Sequence, residues 1–349
     1  MTLGGWPSML RQLRALTRPV GCGEADAIAV YGRAEAGRWV PAPAADQGIE
    51  GVACVDDAAR GVHLYSILLR SGGSRSLRHG AERLLRFVRQ MQGADGQFHN
   101  FILDWTGAVN RDGPTSYAGG AYWTGRAILA LVDGYLELGV RECRELAAET
   151  MYAASEGEIA NCADALAILV QAAARLARST GDPRLTSLVS TCADRIADCR
   201  LGDVLLDQAG VNPVHLWAHE QEIALVEAGL LLGRRSLIHL AARSAEGALL
   251  PPAEEGFRRP ATCPYEVSCV ARGLAEVGRA SGRGRLVRAA GLARGWFFGR
   301  NPAGLPVYDA ARGAFLDGVD NRTLNPDSGA ESNVEGARCL LTVGHSAPR

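Results

Sequence analysis

Apolar residues recur at steps of three and four through most of the chain, and this helical rhythm excludes a fold built mainly on sheets. Val55, Ala58, Val62, Tyr65 and Leu69 fall on one stripe, as do Cys162, Leu166, Leu169, Ala173 and Leu176. The same spacing predicts helices near 78–92, 121–139, 184–199, 219–232, 235–247, 265–280, 284–298 and 329–343. Glycine and proline break them at Ser71-Gly-Gly-Ser, Gly181-Asp-Pro, Gly210-Val-Asn-Pro, Pro251-Pro252 and Ser281-Gly-Arg-Gly. Short helices near 6–17 and 142–155 bring the total to about twelve. Strand signals are few: Ala27 to Tyr31, Phe98 to Leu103 and Pro306 to Tyr308 read as small hairpins between helices, at one rim. Helices joined by short turns pair antiparallel, and six such pairs can close into a ring whose inner ends frame a pocket. A solenoid or two packed bundles are the alternatives, but a solenoid needs a fixed repeat and none is visible. No long linker divides the sequence, so residues 1–349 read as one all-α domain.

Composition narrows the chemistry. The net charge is -1, which offers no field for nucleic acid, and no nucleic-acid partner is expected. All 37 basic residues are arginine, so Schiff-base lysine chemistry, pyridoxal phosphate anchoring and the phosphate-loop lysine are excluded. The 9 cysteines lie scattered without metal-ligand spacing, which suits a reducing compartment, and neither a metal nor another cofactor is expected. Arginines interrupt the amino-terminal segment, and no run approaches the roughly 18 apolar residues of a membrane span. The expectation is a soluble, cytoplasmic protein with no membrane partner; the sequence leaves oligomeric state open.

Three stretches place glycines, aromatics and polar residues where a plain connection needs only a turn. They are Gly51-Val-Ala-Cys-Val-Asp-Asp-Ala-Ala-Arg60, the segment from Asp95 through Phe98-His-Asn-Phe101 to Trp105 and on to Trp123-Thr-Gly-Arg126, and the segment from Trp296 to Glu335. VDDAAR, DGQFHNFILDW and WFFGRNPAGLPVYDAARGAFLDGVDNRTLNPDSGAES resemble, in the same order, runs of the bacterial six-hairpin glycosidase-like proteins that often accompany glycosyltransferases. The resemblance implies an (α/α)6 toroid of about twelve helices with a carbohydrate-type pocket. The chain departs from that pattern at Gly119-Gly-Ala-Tyr-Trp-Thr-Gly-Arg126, where the relatives carry acids and a histidine. Tyr122 and Trp123 offer stacking there but no carboxylate.

The residues themselves admit two readings each. Asp56 and Asp57 suit a helix start, where carboxylates meet the positive end of the macrodipole. Neighbours on a helix point about 100° apart, so one can cap while Asp57 faces the pocket. A third aspartate for prenyl-transfer chemistry is missing, since Arg60 and Cys54 stand at the deciding positions. Ser328-Gly-Ala-Glu331 fits a capping box, yet Glu331 and Glu335 share a face behind a turn through Asn325 that can bring them to a pocket rim. His215 and His219 lack the third ligand of a metal site, and a buried, hydrogen-bonded histidine is the plain alternative. The expected site is Asp57 and Glu331 as a catalytic pair, one the acid and the other base or nucleophile. Around them stand Asp56, Arg60, His99, Asn100, Trp105, Tyr122, Trp123, Arg126, His219, Glu220, Asn325 and Glu335 as substrate-binding residues, with both arginines on carboxylates. The expected function is a glycoside hydrolase-like enzyme acting on a small carbohydrate or glycosylated ligand. The alternatives are a non-hydrolytic descendant, either a tailoring enzyme or a sugar-binding protein, and a helical scaffold for partner contacts.

Overall fold

A computed structural model of the chain describes residues 6–45, 48, 50–210 and 214–344. Two short helices, α1 (Trp6–Met9) and α2 (Arg11–Leu16), precede the antiparallel pairs α3 (Val55–Arg70) and α4 (Arg75–Gln90), then α5 (Ala121–Leu136) and α6 (Glu142–Ser155). Next come α7 (Ala163–Thr180) with α8 (Pro183–Asp198), and α9 (Gln221–Leu232) with α10 (Arg235–Ser244) and the short α11 (Leu250–Glu255). The chain continues through α12 (Pro264–Ser281) and α13 (Gly284–Arg294) to α14 (Ala330–Gly344).

Six of these helices form a closed inner ring. Helix α3 packs on α5, α5 on α7, α7 on α9, α9 on α12, α12 on α14, and α14 returns to α3. Helices α4, α6, α8, α10 and α13 back their partners from outside, while α2 backs α14, so two distant parts of the sequence make the last hairpin. The protein is thus an (α/α)6 toroid. Inner helices are covered on both sides, which is why α7 carries fully buried Ala165, Ala167, Ala172, Ala173 and Ala174: small side chains let two layers approach it.

Connections differ between the two ends of the ring. Inner helices run into outer ones through tight turns; α7, for example, ends at Gly181 in the left-handed region, and Asp182 then caps α8 through the Arg184 amide at 2.8 Å. Outer helices return to inner ones through long segments, 91–120, 199–220 and 295–329 among them, which carry most of the strands. Ala53–Cys54 pairs with Phe101–Ile102, Tyr31–Glu35 with Arg38–Ala42, and Gly318–Asp320 with both Thr323–Asn325 and Ala261–Thr262. These pairs gather over the amino-terminal ends of the inner helices, and that end is the mouth of the ring.

Several expectations change. Pro251-Pro252 does not break the chain but opens α11, where first-turn amides need no helical partner. The helix expected from residue 219 begins at Gln221, and the one at 6–17 is two pieces. The strand expected over Ala27 to Tyr31 is split between Ala25–Ile28 and Tyr31–Glu35. Of the Gly210-Val-Asn-Pro break, all but Gly210 lies outside the described residues.

Candidate active site

A cavity of about 580 Å³ opens at the mouth of the ring. Five carboxyl side chains line it: Asp56 and Asp57 from the first turn of α3, Asp317 and Asp327 from the 295–329 segment, and Glu331 from the start of α14. Acids in the first turns of α3 and α14 sit favourably against the helix macrodipoles. Tyr31, Phe101 and Trp217 supply aromatic walls, and Arg33, Asn100, Asn325 and Ser332 supply polar ones. Gly329 holds the α14 entry close, because a Cβ there would stand 2.7 Å from the Val30 carbonyl oxygen, while its amide donates to Asp317 at 2.7 Å.

Arg60 closes the floor. Its side chain is 2% exposed, and its Nη1 reaches Asp57 at 3.4 Å and Glu331 at 2.8 Å, while Nη2 reaches Asp56 at 3.2 Å. One nitrogen therefore joins the two carboxyls singled out from the sequence, and their bonded oxygens lie no farther apart than those two contacts end to end. Arg126 pairs with Asp56 and also donates to the Tyr265 hydroxyl at 3.0 Å. Both arginines bind carboxylates of the protein itself. Tyr122, Trp217 and Tyr265 brace the two guanidiniums in an edge-to-face chain, with ring centroids 5.3 Å apart at each step. The Trp217 Nε1 donates to both oxygens of Glu331 at 3.2 Å.

The paired aspartates have different electrostatics. Burial drives the Asp57 carboxyl up to about 7, with Arg60 pulling against it and the Asp56 and Glu331 carboxylates adding to the rise. Burial acts on Asp56 too, but Arg126 and Arg60 hold it below the ordinary carboxylate range. The Cys54 thiol, kept protonated by burial and by these aspartates, donates to Asp57 Oδ2 at 3.2 Å and accepts the Asp57 amide as the cap of α3. Burial likewise lifts Asp317 to about 6.

A raised carboxyl pKa favours folding while the group stays protonated. The Asp57 contribution is therefore complete below about pH 4 and lost as pH rises through about 7. Relative to wild type, Asp57→Asn is expected to gain about 2 kcal/mol or more of stability between pH 4 and pH 8 in denaturant titrations. A difference independent of pH would mean that Asp57 is ionised throughout.

The other sequence candidates divide between the cavity and its surroundings. Asn100 lines the cavity, and its Oδ1 accepts the Asp56 amide at 3.2 Å; Asn325 lines it and accepts the Asp327 amide at 3.1 Å. Glu335 lies below the floor, fully buried and 2.6 Å from Arg338. Glu220 is held with Arg272 and Gln171, and against its burial Arg272 and Arg338 bring it down to about 2. His219 contacts Asp207 at 2.8 Å and Glu222 at 3.1 Å, which hold it up to about 10 although burial works against its charge. His99 contacts the Ser116 carbonyl and Arg111 instead of the cavity. Trp123 is 6% exposed and spends its indole N–H on the Phe98 carbonyl at 2.8 Å, so it packs in the core. Trp105 packs under Arg18 on the outer side, and Tyr122 donates to Asp164 at 2.6 Å beside Trp217. The capping box at Ser328 is absent: its hydroxyl donates to the Phe315 carbonyl, which leaves Glu331 turned to Arg60.

Asp317, Trp217, Tyr265 and Cys54 were missed as site residues. Asp317 falls in the long motif as an ordinary Asp-Gly turn, and Trp217 was overshadowed by the histidines flanking it. Among the described residues no cluster of histidine, cysteine and carboxylate suits a metal ion, and no helix is long and apolar enough to cross a membrane.

No family model matches the chain, and no curated protein matches it in sequence. Solved structures do match in shape. A sugar epimerase from a ruminal bacterium superposes with a TM-score of 0.73 at 13% identity, over 100% of both chains. A D-mannose isomerase gives 0.73 at 10% identity, over 97% of this chain and 96% of its own. An inactive variant of a GH76A alpha-1,6-mannanase from Salegentibacter sp., with two consecutive aspartates replaced by asparagine and alpha-1,6-mannotriose bound, gives 0.64 at 9% identity, over 96% and 97%. At these identities the likeness establishes the toroid alone.

Proposed function

We propose that the chain is a carbohydrate-acting enzyme that hydrolyses a glycosidic bond in the mouth cavity, with Asp57 as proton donor and Glu331 as nucleophile. The observation that carries this is the shared Arg60 nitrogen, which sets a carboxyl of pKa about 7 beside a second carboxyl oriented by an indole N–H. A protonated acid near neutrality can give its proton to the leaving oxygen, while the fixed carboxylate attacks the anomeric carbon. The oxygens bonded to Arg60 stand closer than the roughly 6.5–9.5 Å that inverting enzymes keep open for water, so retention is the expected outcome. A mannanase of the same fold is inactive when two consecutive aspartates are replaced, and this chain too carries two consecutive aspartates, Asp56 and Asp57, in its cavity. The epimerase and isomerase neighbours keep proton abstraction beside a sugar carbonyl as the second reading. No histidine is among the described residues lining the cavity, so the base of that reading is one of the five carboxylates. The test is a panel of glycosides and free sugars followed by proton NMR. Release of sugar with retained anomeric configuration is expected. Interconversion of free sugars without bond cleavage would establish the second reading, and binding without turnover would establish the non-hydrolytic descendant.

A further inference from the structure

Resting on the hydrolase reading, we infer that Trp217 is the positioning residue for Glu331, held in place by a strained backbone link to a buried ion cluster. Its indole N–H is shared between both Glu331 oxygens at 3.2 Å, so it fixes the plane of the carboxylate as well as its distance. A second contact on Glu331, Arg60 Nη1 at 2.8 Å, comes from the opposite wall, α3. The donors Arg60 and Trp217 thus grip one carboxylate from two elements far apart in sequence.

The loop explains how the indole stays there. Ala218 follows Trp217 at φ 62 with no solvent exposure, a left-handed conformation that side-chain-bearing residues adopt at a cost. Next, His219 is clamped between Asp207 and Glu222, and Glu222 accepts from the Ser244 hydroxyl at 2.6 Å. Gln221 donates to Asp207 at 2.8 Å. The strain at Ala218 is therefore over-determined by a buried network, the condition under which such strain persists. Its effect is to aim Trp217 inward, where Tyr122 and Tyr265 meet its ring edge to face. The charged and titratable groups facing Glu331 are Arg60 and Asp57 from α3, Asp317 from the mouth segment and Cys263 from the cap of α12. To these groups Trp217 adds a neutral N–H donor.

Three measurements test this. On a substrate the wild type cleaves, Trp217→Phe keeps the ring and removes the N–H, and should lower kcat by about thirtyfold with KM within about twofold. Equal effects on kcat and KM, or no effect, would overturn the assignment. Ala218→Gly relieves the strain and should raise the melting temperature while lowering kcat about threefold; a rise in both would show that the strained link does not aim the indole. Independently of any activity, the Trp217 indole proton resonance, identified by its loss in Trp217→Phe, should move upfield in Glu331→Ala as its acceptor disappears. An unmoved resonance overturns the proposal. A wild type that cleaves nothing overturns the hydrolase reading instead, and the resonance then decides alone whether the indole orients Glu331.

Discussion

Glu331→Gln is expected to lower kcat on a cleavable glycoside by about a hundredfold or more while KM changes by less than about threefold. The amide keeps the shape that Trp217 and Arg60 grip but cannot form the glycosyl bond, so binding survives and chemistry does not. Steady-state kinetics on the purified variant, with its melting curve as the folding control, decide the matter. Asp57→Asn should be comparably slow with poor leaving groups and much less so with an activated aryl glycoside, because such a group departs without protonation. If both variants lost equally on both substrates, the division of roles between the two acids would be wrong.

The largest effect on stability is expected at Arg60. Its guanidinium is buried against Asp56, Asp57 and Glu331, with Glu335 3.9 Å from Nε and the Tyr265 ring 4.5 Å away. Arg60→Met should cost about 3–5 kcal/mol in urea unfolding at pH 7, because several carboxylates are left buried without their shared cation. Arg60→Lys keeps the charge but cannot contact acids on two helices with one planar fork, and should recover less than half of that loss. Lowering the pH towards 4 should narrow the gap between Arg60→Met and wild type as the orphaned carboxylates take up protons. A loss below about 1 kcal/mol at pH 7 would mean that the floor reorganises around water.

How far these features were legible depends on what kind of signal each leaves. The helices followed from the periodicity of residues such as Val55, Ala58 and Val62, because the larger apolar side chains recur at helical spacing even in an inner helix covered on both sides. Ring closure left no local mark: the contact of α14 with α3 joins residues that no window of sequence contains together, so the helix pairs allowed a ring among other packings and the family resemblance singled it out. That Asp57 and Glu331 would share a cavity was legible because acids at the starts of apolar helices stand out. Their shared arginine was half legible, since Arg60 was expected to bind a carboxylate but not to bind both. The aromatics misled for a physical reason. Trp123 and Trp217 look alike in sequence, and the difference lies in where each indole N–H finds an acceptor, Phe98 in the core or Glu331 in the cavity. A capping box at Ser328 was a sound local inference that a tertiary contact overrode, because Phe315 claims the hydroxyl. The short strands at the mouth were hardest to place, being two or three residues long and set by the approach of distant segments.

Ring closure also sets a timetable for the living chain. Arg60 and Glu331 are separated by 271 positions, which at about 5–20 residues per second puts roughly a quarter of a minute to a minute between their emergence from a ribosome. Through that interval the first helices exist without the one that completes their floor, and Asp56 and Asp57 must hold the guanidinium by themselves. A nascent protein cut short before α14 would carry half a grip, an open seam and no Glu331. The same docking event that seals the ring also completes the cavity, so an incomplete product leaves that seam open to proteases.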